Sequence, residues 1–207
     1  MKLRMLFASF MLLSGLSADA LPQDEAQAQK QKPENFSALA YLPAGAGVRM
    51  AAPGANTSIT IYVKRYSTDA EANTLSQALL SGGQDAVIKL MHKMKAIGKV
   101  SLVGRVGFFD LKFIRTRPAQ GGRIIIGACD RPIQFLEAAN AGRSTDYKIG
   151  IVTLQLKEKS EDHGEKTKEE GEGSLIYAAK VKVIEGNKVE IENYGIEPAR
   201  LLGVRKL

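Results

Sequence analysis

The sequence predicts an α+β domain, with a mainly antiparallel sheet of about seven strands and a helix pair near the N-terminus packed on it. Helical periodicity is confined to residues 68–98, whereas apolar and polar residues alternate in most of the chain after them. The later runs are joined by connections too short for the crossover helices that parallel strands require. Helices segregated from an antiparallel sheet define the α+β class.

The first twenty residues have the features of a secretory signal peptide. Lys2 and Arg4 precede an apolar run over residues 5–16, and small residues lead up to Ala20. We therefore expect cleavage after Ala20 and a secreted or periplasmic protein. An N-terminal anchor is the alternative, although the run is too short to span a bilayer. No later run reaches about 18 apolar residues, so no integral membrane segment is expected in the mature chain.

Residues 21–56 are predicted to be a low-complexity tail or linker, followed by a single folded domain over residues 57–207. Gln, Ala, Pro and Gly dominate the tail, which offers too few apolar side chains to offset the entropy of ordering it. We expect disorder up to about Ser37, while residues 36–43 add a short strand or lie against the domain. Residues 157–172 are dense in Glu and Lys and are expected to form a mobile loop.

The helix pair follows a half-buried strand over residues 57–67. Thr68 and Glu71 have the spacing of a capping box that starts the first helix, and Gly82 with Gly83 is expected to end it. The stripes expected to be buried are Ala72, Leu75, Ala78 and Leu79 in the first helix, and Val87, Leu90, Met91 and Met94 in the second.

Strands joined by tight turns are predicted from Lys99 onward, with a hairpin at residues 118–122 and a last strand near residues 200–204. A further hairpin surrounds "EGNK". Alternation requires Val183 to share a face with Val189, which only a loop of odd length, three or five residues, allows. That register places Lys182 opposite an acid, Glu190 or Glu192.

The composition argues against several functional classes. The formal net charge is +7, but the basic residues are scattered and aromatic residues make up only 6% of the chain, so no nucleic acid partner is expected. The two histidines lie near no second metal-ligating cluster and no Gly-x-Ser-x-Gly turn. Neither a GxGxxG unit nor a P-loop is present. We therefore expect no cofactor and no metal, and a protein that is not an enzyme.

The single cysteine, Cys129, permits no intrachain disulfide. It follows an apolar strand, so one interpretation is a small buried hydrophobic residue. The other is a reactive thiol whose thiolate is favoured by Arg131, two residues away.

A polar block follows this cysteine and is the only candidate site. Its members are Asp130, Arg131, Glu137, Arg143, Asp146 and Tyr147. Arginine forks and carboxylates pair well when partly buried. The block is therefore either a contact site for an anionic or hydroxyl-rich ligand, or a structural ion-pair network. A small hydrolase that uses its carboxylates is the enzymatic alternative.

Much of residues 67–205 resembles a group of uncharacterised secreted bacterial proteins. The resemblance depends on Gly82-Gly83, on the Asp130-Arg131-Pro132 turn and on Tyr194 with "EPARL". It implies export and one compact domain, and it brings no activity, cofactor or catalytic residue. The function expected from the sequence is that of an exported, non-enzymatic binding domain or envelope-associated structural domain. Its partner and its oligomeric state are not indicated.

Overall fold

The computed structural model describes residues 31–43, 56–104, 106–133, 146–159, 168–184, 188–193 and 197–207. This part of the chain contains one helix and nine strands. They are β1 (Glu34–Tyr41), β2 (Asn56–Val63), α1 (Asp69–Lys93), β3 (Gly98–Leu102), β4 (Phe109–Ala119), β5 (Gly122–Cys129), β6 (Ile149–Lys159), β7 (Lys168–Ile184), β8 (Lys188–Asn193) and β9 (Ala199–Lys206). This helix, the only one in the described part of the chain, is not long and apolar enough to cross a membrane.

Eight of these strands form a closed antiparallel barrel. The order around it is β1 to β7 and then β9, which pairs back with β1, while β8 is an extra strand beside β7. Every pairing is antiparallel, as predicted from the short connections. The α+β class itself is wrong, because the sheet closes on itself instead of remaining open beneath a helix pair.

Closure depends on the long strand β7. It pairs with β6, and on its other edge its first part pairs with β9 and its last part with β8. A Cβ atom at Gly171 would overlap the carbonyl oxygen of Gln155 on β6, and one at Gly173 would overlap that of Thr153. These glycines therefore let β7 approach β6 closely where the sheet coils into a barrel.

The barrel interior is filled by apolar side chains. An eight-stranded barrel is just wide enough for its inward-facing residues to fill it. Inward positions alternate along each strand, so that Phe36, Ala38 and Ala40 of β1 meet Ile59, Ile61 and Val63 of β2. Val100, Leu111, Ile114, Ile125, Leu154, Leu175 and Leu201 come from the other strands. The interior is therefore a packed core. The predicted inward positions of Ile59, Ile61 and Val63 are confirmed, although the strand ends at Val63 and not at residue 67.

The predicted helix pair is wrong, because α1 runs from Asp69 to Lys93 with a kink at Gly83. Gly83 has φ 64° and ψ −162°, a conformation that residues other than glycine avoid. The double glycine therefore bends the helix and does not end it. The predicted capping box is confirmed, since the Thr68 hydroxyl accepts from the Glu71 amide at 3.1 Å and the Glu71 carboxylate accepts from the Thr68 amide at 2.9 Å.

Both arms of α1 pack on the outside of the barrel. Leu75 and Leu79 from the first arm and Val87, Ile88 and Met91 from the second lie in one apolar cluster. The strands contribute residues from β4 to β8, including Phe113, Ile126, Ile149, Ile151, Ala179 and Ile191. The kink thus lets the apolar stripes of both arms of α1 pack on the same outer surface of the barrel. The strands β1, β2, β3 and β9 contribute no residue to this cluster.

Several local predictions are confirmed. Val183 lies opposite Val189 and Lys182 opposite Glu190, so the β7–β8 loop has the predicted odd length. A two-residue turn joins β4 to β5 within residues 118–122, and β9 is the predicted last strand.

Two segments with polar or low-complexity sequences belong to the barrel. Within the range expected to be a tail, β1 lies between β2 and β9. β6 and β7 extend into the predicted mobile loop from both sides, and residues 160–167 of that loop lie outside the described residues. The predicted signal peptide also lies outside them.

Candidate functional site

The outer face of β1, β2 and β3 carries a shallow depression of about 180 Å³. Asn35 of β1, Thr60 and Tyr62 of β2, and Lys99 and Ser101 of β3 line it. These are outward positions, because their neighbours along each strand fill the core. None of the five side chains hydrogen-bonds to another described residue, so amide, hydroxyl and ammonium groups are available here to a ligand.

Two aromatic rings lie close to the ammonium group of Lys99. The Nζ atom lies 5.8 Å from the centroid of the Tyr62 ring and 5.4 Å from that of the Phe108 ring, within the range of a cation–π interaction. Phe108 precedes β4 and is 51% exposed. We call this surface the Lys99 shelf. It comprises Asn35, Thr60, Tyr62, Lys99, Ser101 and Phe108.

One member of the predicted polar block contacts this surface. The Arg131 guanidinium donates from Nη2 to the Phe108 carbonyl at 3.0 Å, and it lies 5.6 Å from the centroid of the Phe109 ring. Phe109 packs against the barrel interior. Arg131 therefore helps to fix the backbone that presents Phe108 to Lys99, and its role here is positional.

The other described members of the block are paired separately. The Asp130 carboxylate lies 3.8 Å from His92 Nε2 on α1, and the Asp146 carboxylate lies 3.8 Å from Lys180 Nζ on β7. The Tyr147 hydroxyl donates to Glu192 of β8 at 2.9 Å. Burial and the hydrogen bond to Glu192 raise the pKa of Tyr147.

The pairing of arginines with carboxylates inside the block remains a prediction. Glu137 and Arg143 lie outside the described residues. Among the described members, no contact joins Asp130 or Arg131 to Asp146 or Tyr147 directly. The two alternatives for the block, a ligand site and an ion-pair network, therefore both stay open, as does the hydrolase that would use its carboxylates.

Cys129 is the small buried residue that one of its two interpretations predicted. Its side chain is fully buried in the barrel core. Burial in this apolar environment, followed by the charge of Asp130, raises the pKa of the thiol, and the opposing effect of Arg131 is smaller. The thiol is therefore neutral and inaccessible, which does not suit a nucleophile. No group of three or more His, Cys, Asp or Glu side chains is arranged to hold a metal ion in the described part of the chain.

A cluster of charged residues closes one end of the barrel. Arg123 of β5 donates to Glu34 of β1 at 2.7 Å and to Glu169 of β7 at 2.6 Å. Lys206 of β9 lies 2.6 Å from Glu34 and 3.1 Å from Glu169. The Tyr66 hydroxyl donates to Glu34 and accepts from Arg123. We call these five residues the Arg123 cluster; its two acids and two bases balance in charge.

The pKa shifts in the Arg123 cluster follow from this pairing. Burial by itself raises the pKa of Glu34, but hydrogen bonds from Arg123 and Lys206 outweigh it and lower the pKa to about 2. The pKa of Glu169 is lowered in the same way. Burial and the Glu34 carboxylate raise the pKa of Tyr66. All five groups are therefore held in their ordinary charge states, and each already has partners, so the cluster fits a structural role better than a catalytic one.

Sequence reasoning did not identify either surface. For the Lys99 shelf a partial signal exists, because Thr60 and Tyr62 alternate with buried residues and must face outward. Nothing local indicates that β3 pairs with β2 so as to place Lys99 beside Tyr62. For the Arg123 cluster, Arg123 and Lys206 each lie two residues from an inward-facing apolar residue, which is the only sign that they face inward.

Comparisons with known proteins add no assignment to this geometry. No family model, no curated protein and no solved structure matches the chain.

Proposed function

We propose that this chain is an exported, non-enzymatic binding domain that contacts its ligand through the Lys99 shelf. The features of the first twenty residues support export. The packed interior supports a site on the outside, because a barrel filled by its own side chains leaves no space for an enclosed ligand.

One observation carries the proposal. Five polar side chains line the depression without hydrogen bonds to the described residues, and the ammonium group of Lys99 contacts two aromatic rings, those of Tyr62 and Phe108. By contrast, the charged groups of the Arg123 cluster are paired with one another. Polar groups placed together next to aromatic rings are the usual composition of a ligand-contact surface.

Export is tested by expressing the full chain in a bacterial host and fractionating the cells. We expect the protein in the periplasm or the medium, with a mass that corresponds to a chain starting at Leu21. A cytoplasmic protein that retains Met1 would contradict this half of the proposal.

The contact surface is tested by cosedimentation of the mature protein with purified envelope polysaccharide. Tyr62→Ala and Lys99→Met should each reduce the bound fraction. Arg200→Met is the matched control, because Arg200 is an exposed cation on β9 whose partner is Glu197 at 3.4 Å. Equal binding by all three variants and the parent chain would contradict the assignment of the shelf, whereas the absence of binding by the parent chain would exclude polysaccharide as its ligand.

A further inference from the structure

We propose that the Lys99 shelf binds an acidic carbohydrate, that is, a sugar ring that carries a carboxylate. This inference rests on the proposed function and specifies its ligand class. It follows from three properties of the shelf: its aromatic rings, its neutral polar groups and its single cation.

The aromatic rings suit the apolar face of a sugar. A pyranose presents a patch of C–H groups on one side, and an aromatic ring with its electron-rich face exposed packs favourably against partly positive hydrogens. Tyr62 lines the depression, and Phe108 is near it, since the Lys99 ammonium group contacts both rings. A depression of about 180 Å³ accommodates one sugar ring and leaves the rest of a chain in solvent.

The neutral polar groups suit sugar hydroxyls. Asn35 supplies an amide donor and acceptor, and Thr60 and Ser101 supply hydroxyls that both donate and accept. Hydroxyl-rich ligands require partners that both donate and accept hydrogen bonds. An apolar ligand would instead remove water from these groups without replacing its hydrogen bonds.

The cation selects for an acid. Lys99 makes no ion pair with a described residue, although Asp110 lies opposite it in the β3–β4 register. The Asp110 carboxylate instead lies 3.8 Å from Lys112 Nζ. The ammonium group of Lys99 lies over the Tyr62 ring. The ammonium group therefore has donor capacity directed at the depression, where a ligand carboxylate would meet it.

A single-stranded nucleic acid is the competing ligand, since it also uses rings and cations. Such a ligand needs a row of unpaired cations along its backbone. The exposed arginines of β9 do not provide one, because Arg200 lies 3.4 Å from Glu197 and Arg205 lies 3.9 Å from Glu170. The shelf offers one cation surrounded by hydroxyl and amide groups, which favours the carbohydrate.

The test is calorimetric titration of the mature protein with a galacturonic acid trimer, the neutral galactose trimer of the same linkage, and a thymidine oligonucleotide. We expect the acidic trimer to bind best. Lys99→Met should weaken its binding about threefold to fivefold, as expected for an exposed ion pair, and should leave the neutral trimer unaffected. Tyr62→Ala should weaken both trimers about tenfold, as expected for loss of an aromatic contact. Lys99→Arg should restore most of the affinity, and Arg200→Met should have no effect.

The outcomes separate this inference from the proposed function. Tighter binding of the oligonucleotide, or equal binding of the acidic and neutral trimers, would overturn the acidic carbohydrate while the shelf remained the contact surface. If the acidic trimer bound equally to the parent, Tyr62→Ala and Lys99→Met proteins, both proposals would fail. The urea midpoint of each variant establishes that it is folded before binding is compared.

Discussion

Replacing Arg123 with Met should destabilise the barrel strongly at neutral pH and only weakly at acid pH. Arg123 neutralises Glu34 and Glu169, whose side chains are each only 12% exposed. The Met side chain keeps much of the apolar stem of Arg and removes the charge. The variant therefore leaves two largely buried carboxylates that only Lys206 and the Tyr66 hydroxyl can offset.

The magnitude follows from the pKa of Glu34, which is lowered from 4.5 to about 2. At about 1.4 kcal/mol per unit, that shift corresponds to roughly 3 kcal/mol of stability, which Arg123 shares with Lys206 and Tyr66. Removing one partner of a buried ion pair costs about 3–5 kcal/mol, because the other charge stays buried. We therefore expect a loss of about 3 kcal/mol in the free energy of unfolding at pH 7.

The dependence on pH has a definite sign. Because the pKa of Glu34 in the folded protein lies below 4.5, its stabilising contribution is complete above about pH 4.5 and disappears as the pH falls towards 2. Without Arg123, the pKa of both carboxyl groups should rise, so that they bind protons at a higher pH and their mutual repulsion ends. The difference between the two proteins should therefore shrink to about 1 kcal/mol at pH 3.

The assay is urea denaturation of both proteins at pH 7 and pH 3, with linear extrapolation to water. Arg200→Met serves as the control, since its exposed pair with Glu197 should contribute less than about 1 kcal/mol. The reasoning is refuted if Arg123→Met costs no more than Arg200→Met at pH 7, or if its cost is the same at both pH values.

Three further predictions concern the helix and the core. Gly83→Ala should lower the free energy of unfolding by about 1–3 kcal/mol, because alanine is strained at φ 64° and ψ −162°; an unchanged urea midpoint would argue against the kink. Thr68→Ala should cost about 1 kcal/mol by removing the cap of α1, and thermal melting that matches the parent protein would speak against the capping box. Cys129 should react with a thiol reagent at pH 8 only in denaturant, because it is fully buried and burial raises its pKa; fast labelling of the native protein would show that this account of the core is mistaken.

Local pattern predicted the strands, whereas the closure of the sheet could not be predicted. Alternation located the inward residues of β2, and the β7–β8 register followed from Val183 and Lys182 alone. Closure instead requires β6 to pair with β7 across residues 168–175, where the sequence "KEEGEGSL" is typical of a charged loop. The glycines that permit close approach of the strands there are the same residues that lower the strand propensity.

The helix pair was predicted wrongly, and a strand was only one of two alternatives for residues 36–43, for related reasons. A double glycine usually ends a helix, but apolar residues on both sides of Gly83 pack on the same curved barrel surface, and tertiary packing overrides the local signal. In β1, the inward residues Ala38 and Ala40 are small. The alternation of apolar and polar residues is therefore a weak strand signal within a stretch rich in Gln, Ala and Pro.

The candidate site could be predicted least, because it depends on contacts between strands. Tyr62 and Lys99 are adjacent only through the β2–β3 register, and Phe108 joins them from the segment before β4. Among the members of the predicted block that the structure describes, Arg131 alone contacts this surface, through the Phe108 carbonyl. Its link to the surface was not indicated by its sequence neighbours.

The most direct measurement of the central claim is a titration of the isotopically labelled mature protein with the galacturonic acid trimer, followed by amide chemical shifts. The account predicts that the largest changes lie on β1 to β3, at Asn35, Thr60, Tyr62, Lys99 and Ser101. Changes confined to residues 130–147, or spectra that do not respond to the trimer, would contradict it.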